Sequence, residues 1–362
     1  MKTNCILKGD CIKTMKKIPS ESIDFIFADP PYFMQIQKNK KLFRVEGNEF
    51  SGCNDEWDKF ESMQKYKEFT NKWIQEVKRI LKPNGLFCVI SGMQSIYEIG
   101  NICRDKGFWA VNDIVWLKSN PTPNFGGTRL QNSHETMIVF AKNKNAKFTF
   151  NYKTGKKLNN GKQMGSVWKI PVCSGNERIK DDKGCKVHTT QKPEELLYRL
   201  IVLFTNLGDL ILDPFGGTMT TAAVAKRTGR KYIMIEKDQK YISYGEKRIK
   251  CVSEEITDIE KGTYDIKPPK VSMKEMIQNG YFKLGEKFYI NDRHAILNDE
   301  SGKLKLSNNK ILSMHEVAAI FLNKTRRLNG FDYFKVLRNG VFVSINDIRQ
   351  EYRNKHKLPD AI

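Results

Sequence analysis

Apolar runs alternate with stretches of helical periodicity through most of the chain. That alternation predicts an α/β core built on a mostly parallel sheet. Ile23–Phe27 is the first clear strand. Over residues 67–82, Phe69, Trp73, Ile74, Val77, Ile80 and Leu81 recur at helical spacing, and Lys82-Pro83-Asn84-Gly85 stops the helix. Leu86–Ile90, Ile114–Leu117, Leu210–Leu212 and Tyr232–Ile235 read as further strands. Pro193 opens a helix running to about Asn206, and Thr220–Thr228 forms another that Gly229 closes.

The rhythm breaks over 141–187, which is rich in Lys, Asn and Gly and reads as a functional loop region. Residues 252–270, with Glu254, Glu255 and Pro268-Pro269, read as a linker. Beyond it, HEVAAIFLNK (315–324) predicts a helix, and YFKVLRNGVFVSI (333–345) predicts a hairpin turning at Asn339-Gly340. The expected organisation is a large domain over 1–251, a linker over 252–270 and a small α+β domain over 271–358.

Charge adds a partner to this picture. The formal net charge is +21 with a pI of about 9.5, and the excess is spread over both halves of the chain. A folded protein this basic favours a polyanion, because released counterions drive such binding. The eight cysteines form no C-x-x-C pair and five histidines accompany them, so no zinc site is expected. Scattered free thiols, an N-terminus without a signal-peptide core and no apolar run of bilayer length lead us to expect a soluble cytoplasmic protein.

Two short motifs carry the chemistry. In LILDPFGGTMTTAAVAK…YIMIEKD, a strand ends in Asp213, a glycine-containing loop leads into a helix, and the next strand ends in Glu236. This is the order of nucleotide-binding α/β folds, where the second acid holds ribose hydroxyls. The loop has no G-x-G-x-x-G and no Walker lysine, so it suits an adenosine ligand without phosphates. S-adenosylmethionine is the common one. An ordinary strand-to-helix turn would explain the loop equally well if it stood alone.

In DFIFADPPYF (24–33), a strand ends in Asp29-Pro30-Pro31-Tyr32. Prolines fix φ and donate no hydrogen bond, so the corner presents acceptors, the Asp29 carboxylate and the Pro30 carbonyl, beside an aromatic wall. An exocyclic amino group on a base offers two N–H donors to such acceptors, and its ring stacks on Tyr32. A simple strand-ending turn is the competing reading, which loses weight beside an adenosine site in the same fold. No Pro-Cys dipeptide is present, which argues against methylation of a cytosine carbon.

These motifs, with HTTQKP (188–193) between them, resemble β-class amino-methyltransferases of DNA. LKGDCIKTMKKIPSESIDFIFADPPYFMQ (7–35), FSGCNDEWDKF (50–60), NPTPNFGGTR (120–129), HETM (134–137) and FTFNYKT (148–154) are similar to the HinfI-type and cell-cycle-regulated adenine-N6 enzymes that modify GANTC. FDYFKVLRNGVFVSINDIR (331–349) resembles the restriction-enzyme-adenine-methylase-associated domain those enzymes carry.

The resemblance implies a Rossmann-like S-adenosylmethionine-dependent fold with permuted motif order, a small α+β C-terminal domain that contacts DNA, and double-stranded DNA as partner. It implies no metal and no covalent intermediate, and leaves a homodimer and a cognate restriction endonuclease open as partners. Asp29, Pro30 and Tyr32 would meet a flipped adenine. Asp10 and Cys11 would lie against the cofactor's adenine, with Asp29, Asp213, Phe215, Gly217, Thr220 and Thr221 around the cofactor and Glu236 on its ribose. Thr190, Gln191 and Lys192 would lie near its methionine carboxylate. DNA contacts would come from loops at about 33–60 and 120–187, with Lys38, Lys40, Lys41 and Arg44 as phosphate clamps and Asn124 and Arg129 in a target-recognition segment. Lys324, Arg326 and Arg327 are weaker candidates.

One departure from the family pattern stands out. Where the family has F-x-G-x-G, this chain has Phe215-Gly216-Gly217-Thr218-Met219. Met219 is expected to strain the loop or crowd the cofactor. Three other readings remain open at this level: methylation of cytosine N4, a catalytically weak DNA-binding relative, and methylation of RNA.

Overall fold

The computed structural model describes residues 1–33, 42–43, 49–50, 58–124, 127–266 and 268–356, and counts and absences below refer to these. The chain forms two compact units, Met1–Asp265 and Ile266–Ile362. The stretch read as a linker therefore gives its first part, 252–265, to the first unit. There Arg230 donates to the Glu260 carbonyl and Tyr198 to the Glu260 carboxylate.

In chain order the first unit contains β1 (Cys5–Lys8), α1 (Cys11–Met15), β2 (Ile23–Ala28), β3 (Leu42–Phe43), β4 (Glu49–Phe50), α2 (Met63–Ile80), β5 (Leu81–Ser91), α3 (Ile96–Asp105), β6 (Trp109–Lys118) and β7 (His134–Ala141). It continues with α4 (Tyr152–Leu158), β8 (Val167–Ile170), α5 (Glu194–Phe204), β9 (Leu210–Asp213), α6 (Thr220–Arg227), β10 (Lys231–Glu236) and α7 (Gln239–Lys250). Eight of the strands form one sheet in the order β1-β10-β9-β2-β5-β7-β6-β8. The strands from β1 to β5 are parallel, and β7 runs antiparallel to both β5 and β6.

The predicted strands and helices form because each buries the face its pattern marks. In α2, Trp73, Ile74, Val77 and Ile80 are fully buried, each contributing roughly 1.5–3 kcal/mol of apolar transfer. Strands β2 and β9 and the 86–90 part of β5 are almost wholly apolar, as expected where helices cover both faces. Two core clusters result, one on each side of the sheet.

The region 141–187 is not a structureless loop. It holds α4 and β8, the latter pairing with β6 through Trp116↔Trp168. Both indoles are buried, and the Trp116 Nε1 donates to the Ile170 carbonyl. These short elements gain stability from distant partners, so their local sequence carries little periodicity.

The second unit contains α8 (Met273–Gln278), β11 (Lys287–Ile290), β12 (Arg293–Leu297), β13 (Lys303–Lys305), β14 (Ile311–Ser313), α9 (Met314–Phe321), β15 (Lys335–Arg338), β16 (Val341–Ser344) and α10 (Ile345–His356). Its strands form an antiparallel sheet in the order β14-β13-β12-β11-β15-β16. The predicted hairpin is β15–β16, and Asn339 and Gly340 at its turn have φ of 49° and 83°, as a primed turn needs. No helix is long and apolar enough to cross a membrane.

Candidate active site

Although 184 positions separate Asp29 from Asp213, the strands that carry them are neighbours, with Phe25 opposite Ile211 and Ile26 opposite Leu212. Parallel strands leave their carboxyl ends on one edge, so both Asp-Pro corners open toward the same place. A cavity of about 550 Å³ lies there. Asp10, Cys11, Asp29, Pro30, Tyr32, Thr190, Gln191, Lys192, Asp213, Phe215, Gly217, Thr220, Thr221 and Glu236 all line it.

The acceptor corner is held from several sides. Tyr32 and Phe33 both donate their backbone N–H to Asp58 Oδ1, at 2.6 and 2.8 Å. The Tyr66 hydroxyl donates to the Pro31 carbonyl at 2.9 Å. Among the described residues nothing donates to the Pro30 carbonyl, which remains an acceptor. Gly92 lets the Tyr32 ring approach the end of β5, since a Cβ there would meet Tyr32 Cδ2 at 3.3 Å.

Lys192 Nζ donates to Asp29 Oδ2 at 2.7 Å and sits 5.1 Å from the Tyr32 ring centroid. Asp29 Oδ1 is buried and makes no hydrogen bond. Burial raises the Asp29 carboxyl above its ordinary range, and the Lys192 ammonium opposes that rise. An unpaired buried acceptor oxygen is costly in a folded protein, and the residue that carries it is one of those lining the cavity. The ammonium expected near a methionine carboxylate is thus engaged on the acceptor side.

At the cofactor corner, Asp213 Oδ1 accepts from the Phe215 N–H at 2.9 Å and Oδ2 from the Thr221 hydroxyl at 2.6 Å. With no cation close by to offset burial, its carboxyl is pushed up to about 7. Glu236 Oε2 accepts from the Gly217 N–H, while Oε1 accepts from Lys237 and Asp238 N–H, so it braces the glycine loop and keeps about one lone-pair site free, on Oε2. Asp10 Oδ1 caps α1 through the Lys13 N–H, and Thr220 accepts from Arg248. Gln191 is buried and clamps 177–179 with both ends of its amide, accepting from the Ile179 N–H and donating to the Glu177 carbonyl. The open cavity suits a ligand with a flat ring, hydroxyls and no phosphate, because its polar lining is carboxylates and hydroxyls rather than a row of cations.

Met219 corrects one expectation. Its φ of 64° is left-handed, as the departure from glycine suggested, yet its side chain is fully buried and does not line the cavity. A Cβ on Gly245 would lie 2.1 Å from Met219 Cγ, so the side chain occupies the space that Gly245 leaves against α7. The loop is strained, but the cofactor space is not crowded.

Asn124 and Arg129 lie outside the cavity, in the loop between β6 and β7, where Asn124 Nδ2 donates to the Arg129 carbonyl and Arg129 is exposed. Lys38, Lys40, Lys41 and Arg44 fall outside the described residues. The sequence reading gave no role to Asp58, Tyr66, Glu135 or Tyr241. Tyr241 packs at a tilt against His188, with ring centroids 4.7 Å apart and 54° between the ring planes, and both line the cavity. Asp58 and Glu135 fall within segments that carry the family resemblance, FSGCNDEWDKF and HETM, but nothing local assigns any of the four a role, since each acts across the fold.

A family model for DNA methylases matches residues 23–247. The chain belongs to this DNA methylase family. It is 50% identical to the type II methyltransferase M.HinfI of Haemophilus influenzae, over 97% of each chain. It is 40% identical to the type II methyltransferase M2.DpnII of Streptococcus pneumoniae, over 69% of this chain and 90% of that one. Among solved structures, the cytosine-N4-specific PvuII DNA methyltransferase matches 73% of this chain and 91% of its own at 23% identity, with a TM-score of 0.53, a likeness of fold alone. The protein is a DNA methyltransferase.

Proposed function

We propose that this enzyme methylates N6 of an adenine flipped out of double-stranded DNA, within the sequence GANTC. The observation that carries the reading is the unpaired Asp29 Oδ1 beside the free Pro30 carbonyl, in the same cavity as the glycine loop. S-adenosylmethionine supplies a sulfonium-bound methyl group. Asp29 and Pro30 accept the two amino hydrogens, drawing the nitrogen lone pair out of the ring and toward tetrahedral geometry. Tyr32 stacks on the purine. Forming the N–C bond would break the S–C bond of the sulfonium and release a neutral thioether, while the amino proton would leave toward Asp29.

GANTC rests on the motif resemblance, and the 50% identity to M.HinfI over nearly the whole chain supports it. Radiolabelled methyl transfer to duplexes with and without GANTC, followed by nucleoside analysis, tests target and atom together. Label in N4-methylcytosine, or only at another sequence, would overturn the reading. Cofactor contacts by Asp10, Cys11, Thr190, Gln191, Phe215, Gly217, Thr220, Thr221 and Glu236 belong to the same proposal, as does base readout by Asn124 and Arg129. A second copy of the chain and a cognate restriction endonuclease are the partners this reading leaves to be tested, by sedimentation and by assaying cleavage of unmodified GANTC in the source cells.

The second unit is proposed to add phosphate contacts. Its strands contain no Asp or Glu, and Lys287, Lys303, Lys305 and Lys335 share the open face with Tyr289, His294 and Phe342. Replacing the four lysines by alanine should flatten the salt dependence of duplex binding by up to about 0.9 per phosphate contact removed. An unchanged slope would place the contacts elsewhere.

A further inference from the structure

Beside the acceptor corner lies Glu135, a residue of the HETM segment to which the sequence assigned no role. Glu135 is the second residue of β7, the strand that runs against its neighbours. Reversal matters here: a parallel strand would present its last residues at the cavity edge, whereas β7 presents its first. Glu135 Oε2 accepts from the Tyr32 hydroxyl at 2.8 Å, and Oε1 pairs with Lys118 Nζ at 2.7 Å. Lys118 is the last residue of β6, which reaches the same edge from the opposite direction. Lys192 Nζ lies 3.9 Å from Glu135 and 2.7 Å from Asp29, so one ammonium serves two carboxylates.

We propose that Glu135 is a positioning residue for methyl transfer: it fixes the Tyr32 ring through the hydroxyl and, with Lys118, balances Lys192 so that Asp29 remains a strong acceptor.

The charge count explains why the second carboxylate is needed. Lys118, Lys192, Asp29 and Glu135 sum to zero, with Tyr32 as a neutral bridge. Burial and the two carboxylates push the Tyr32 hydroxyl well above its ordinary value, so it stays a donor. Burial alone would raise Glu135, but Lys192 and Lys118, with the hydrogen bonds from Lys118 and Tyr32, outweigh it and keep the carboxyl below its usual value. Without Glu135, two cations would face one catalytic carboxylate. Asp29 would be held more tightly by Lys192 and would be a poorer acceptor for an amino hydrogen. The Tyr32 hydroxyl would lose its partner, and the ring that stacks on the base would lose its fixed tilt.

The inference rests on the adenine reading above, and the test keeps the two apart. Single-turnover transfer of labelled methyl to a GANTC duplex is measured for wild type, Glu135→Ala, Glu135→Gln, Tyr32→Phe and the pair Glu135→Ala with Tyr32→Phe. The wild-type product tests the adenine reading, and the ratio of variant to wild type tests the role of Glu135. Glu135→Ala should slow transfer by about 10–100-fold, the range typical of groups that orient a reacting residue, with cofactor affinity by calorimetry within about twofold of wild type. Glu135→Gln keeps an oxygen for the Tyr32 hydroxyl and should retain part of the lost rate. It also carries the test if the alanine variant does not fold. The paired variant should be barely slower than the worse single variant, because both remove one contact. The proposal is overturned if both Glu135 variants transfer methyl at the wild-type rate, if rate and cofactor affinity fall together, or if the paired losses multiply.

Discussion

Two Asp-Pro corners end adjacent strands, and they hold their carboxylates in opposite ways. At the end of β2, Asp29 has a cation on one oxygen and nothing on the other. At the end of β9, Asp213 has a hydrogen-bond donor on each oxygen and no cation. The first is an ion held ready to accept a hydrogen bond. The second is a brace that shapes a loop and titrates near neutrality, at about 7. The same dipeptide at the same edge therefore performs different work, and its partners decide which.

The most severe way to test this contrast is Asp29→Ala. Transfer should fall by about 10²–10³-fold or more, because an acceptor aimed at developing charge is removed, while cofactor affinity changes little by calorimetry. A loss confined to affinity would reverse the assigned roles.

Asp213→Asn probes the other corner through stability. The folded-state carboxyl is raised to about 7 from an ordinary 3.8. The folded state thus binds the extra proton, and wild-type stability falls as pH rises from about 4 to about 7, then levels off. The asparagine variant should lose that slope, worth on the order of 2–4 kcal/mol across the window, in denaturant melts at several pH values. A slope that survives the substitution would mean another group is responsible.

Lys192→Met sharpens the comparison by making the first corner resemble the second. With burial no longer opposed, the Asp29 carboxyl should rise further. The acid limb of the transfer rate should then move to higher pH by about one unit or more, which costs about tenfold in rate on that limb. An unmoved limb would show that Lys192 does not set the charge of Asp29.

The smallest effect concerns Met219→Gly. Relief of a left-handed residue returns about 1 kcal/mol, whereas the space vacated against Gly245 costs about 2–3 kcal/mol, so stability should fall by about 1–2 kcal/mol. Cofactor affinity should not improve. An improvement would restore the view that methionine crowds the ligand.

The helices and strands with strong apolar periodicity, such as α2, β2 and β9, were legible in the sequence because burial on a face leaves a repeating mark. So were the two corners, whose prolines and glycines constrain the chain locally, and the basic charge that implied a nucleic acid. Residues 141–187 were not, because α4 and β8 are stabilised by partners far away in sequence: Asn151, beside α4, donates to the Val202 carbonyl, and β8 pairs with the strand that carries Trp116. Met219 shows the divide within one residue. Its positive φ could be expected from the missing glycine, but the direction of its side chain depends on Gly245, a residue on another helix.

By itself, the sequence determined what chemistry was available: two acceptors with an aromatic wall, a glycine loop with an acid after it, and a positive charge for DNA. Only the tertiary structure decided what each group does. Strand order puts β2 beside β9, reversal of β7 carries Glu135 to the cavity, and packing directs Lys192 onto Asp29. Ionic state and orientation are set by neighbours within a few ångströms, and those neighbours come from parts of the chain that sequence distance does not connect.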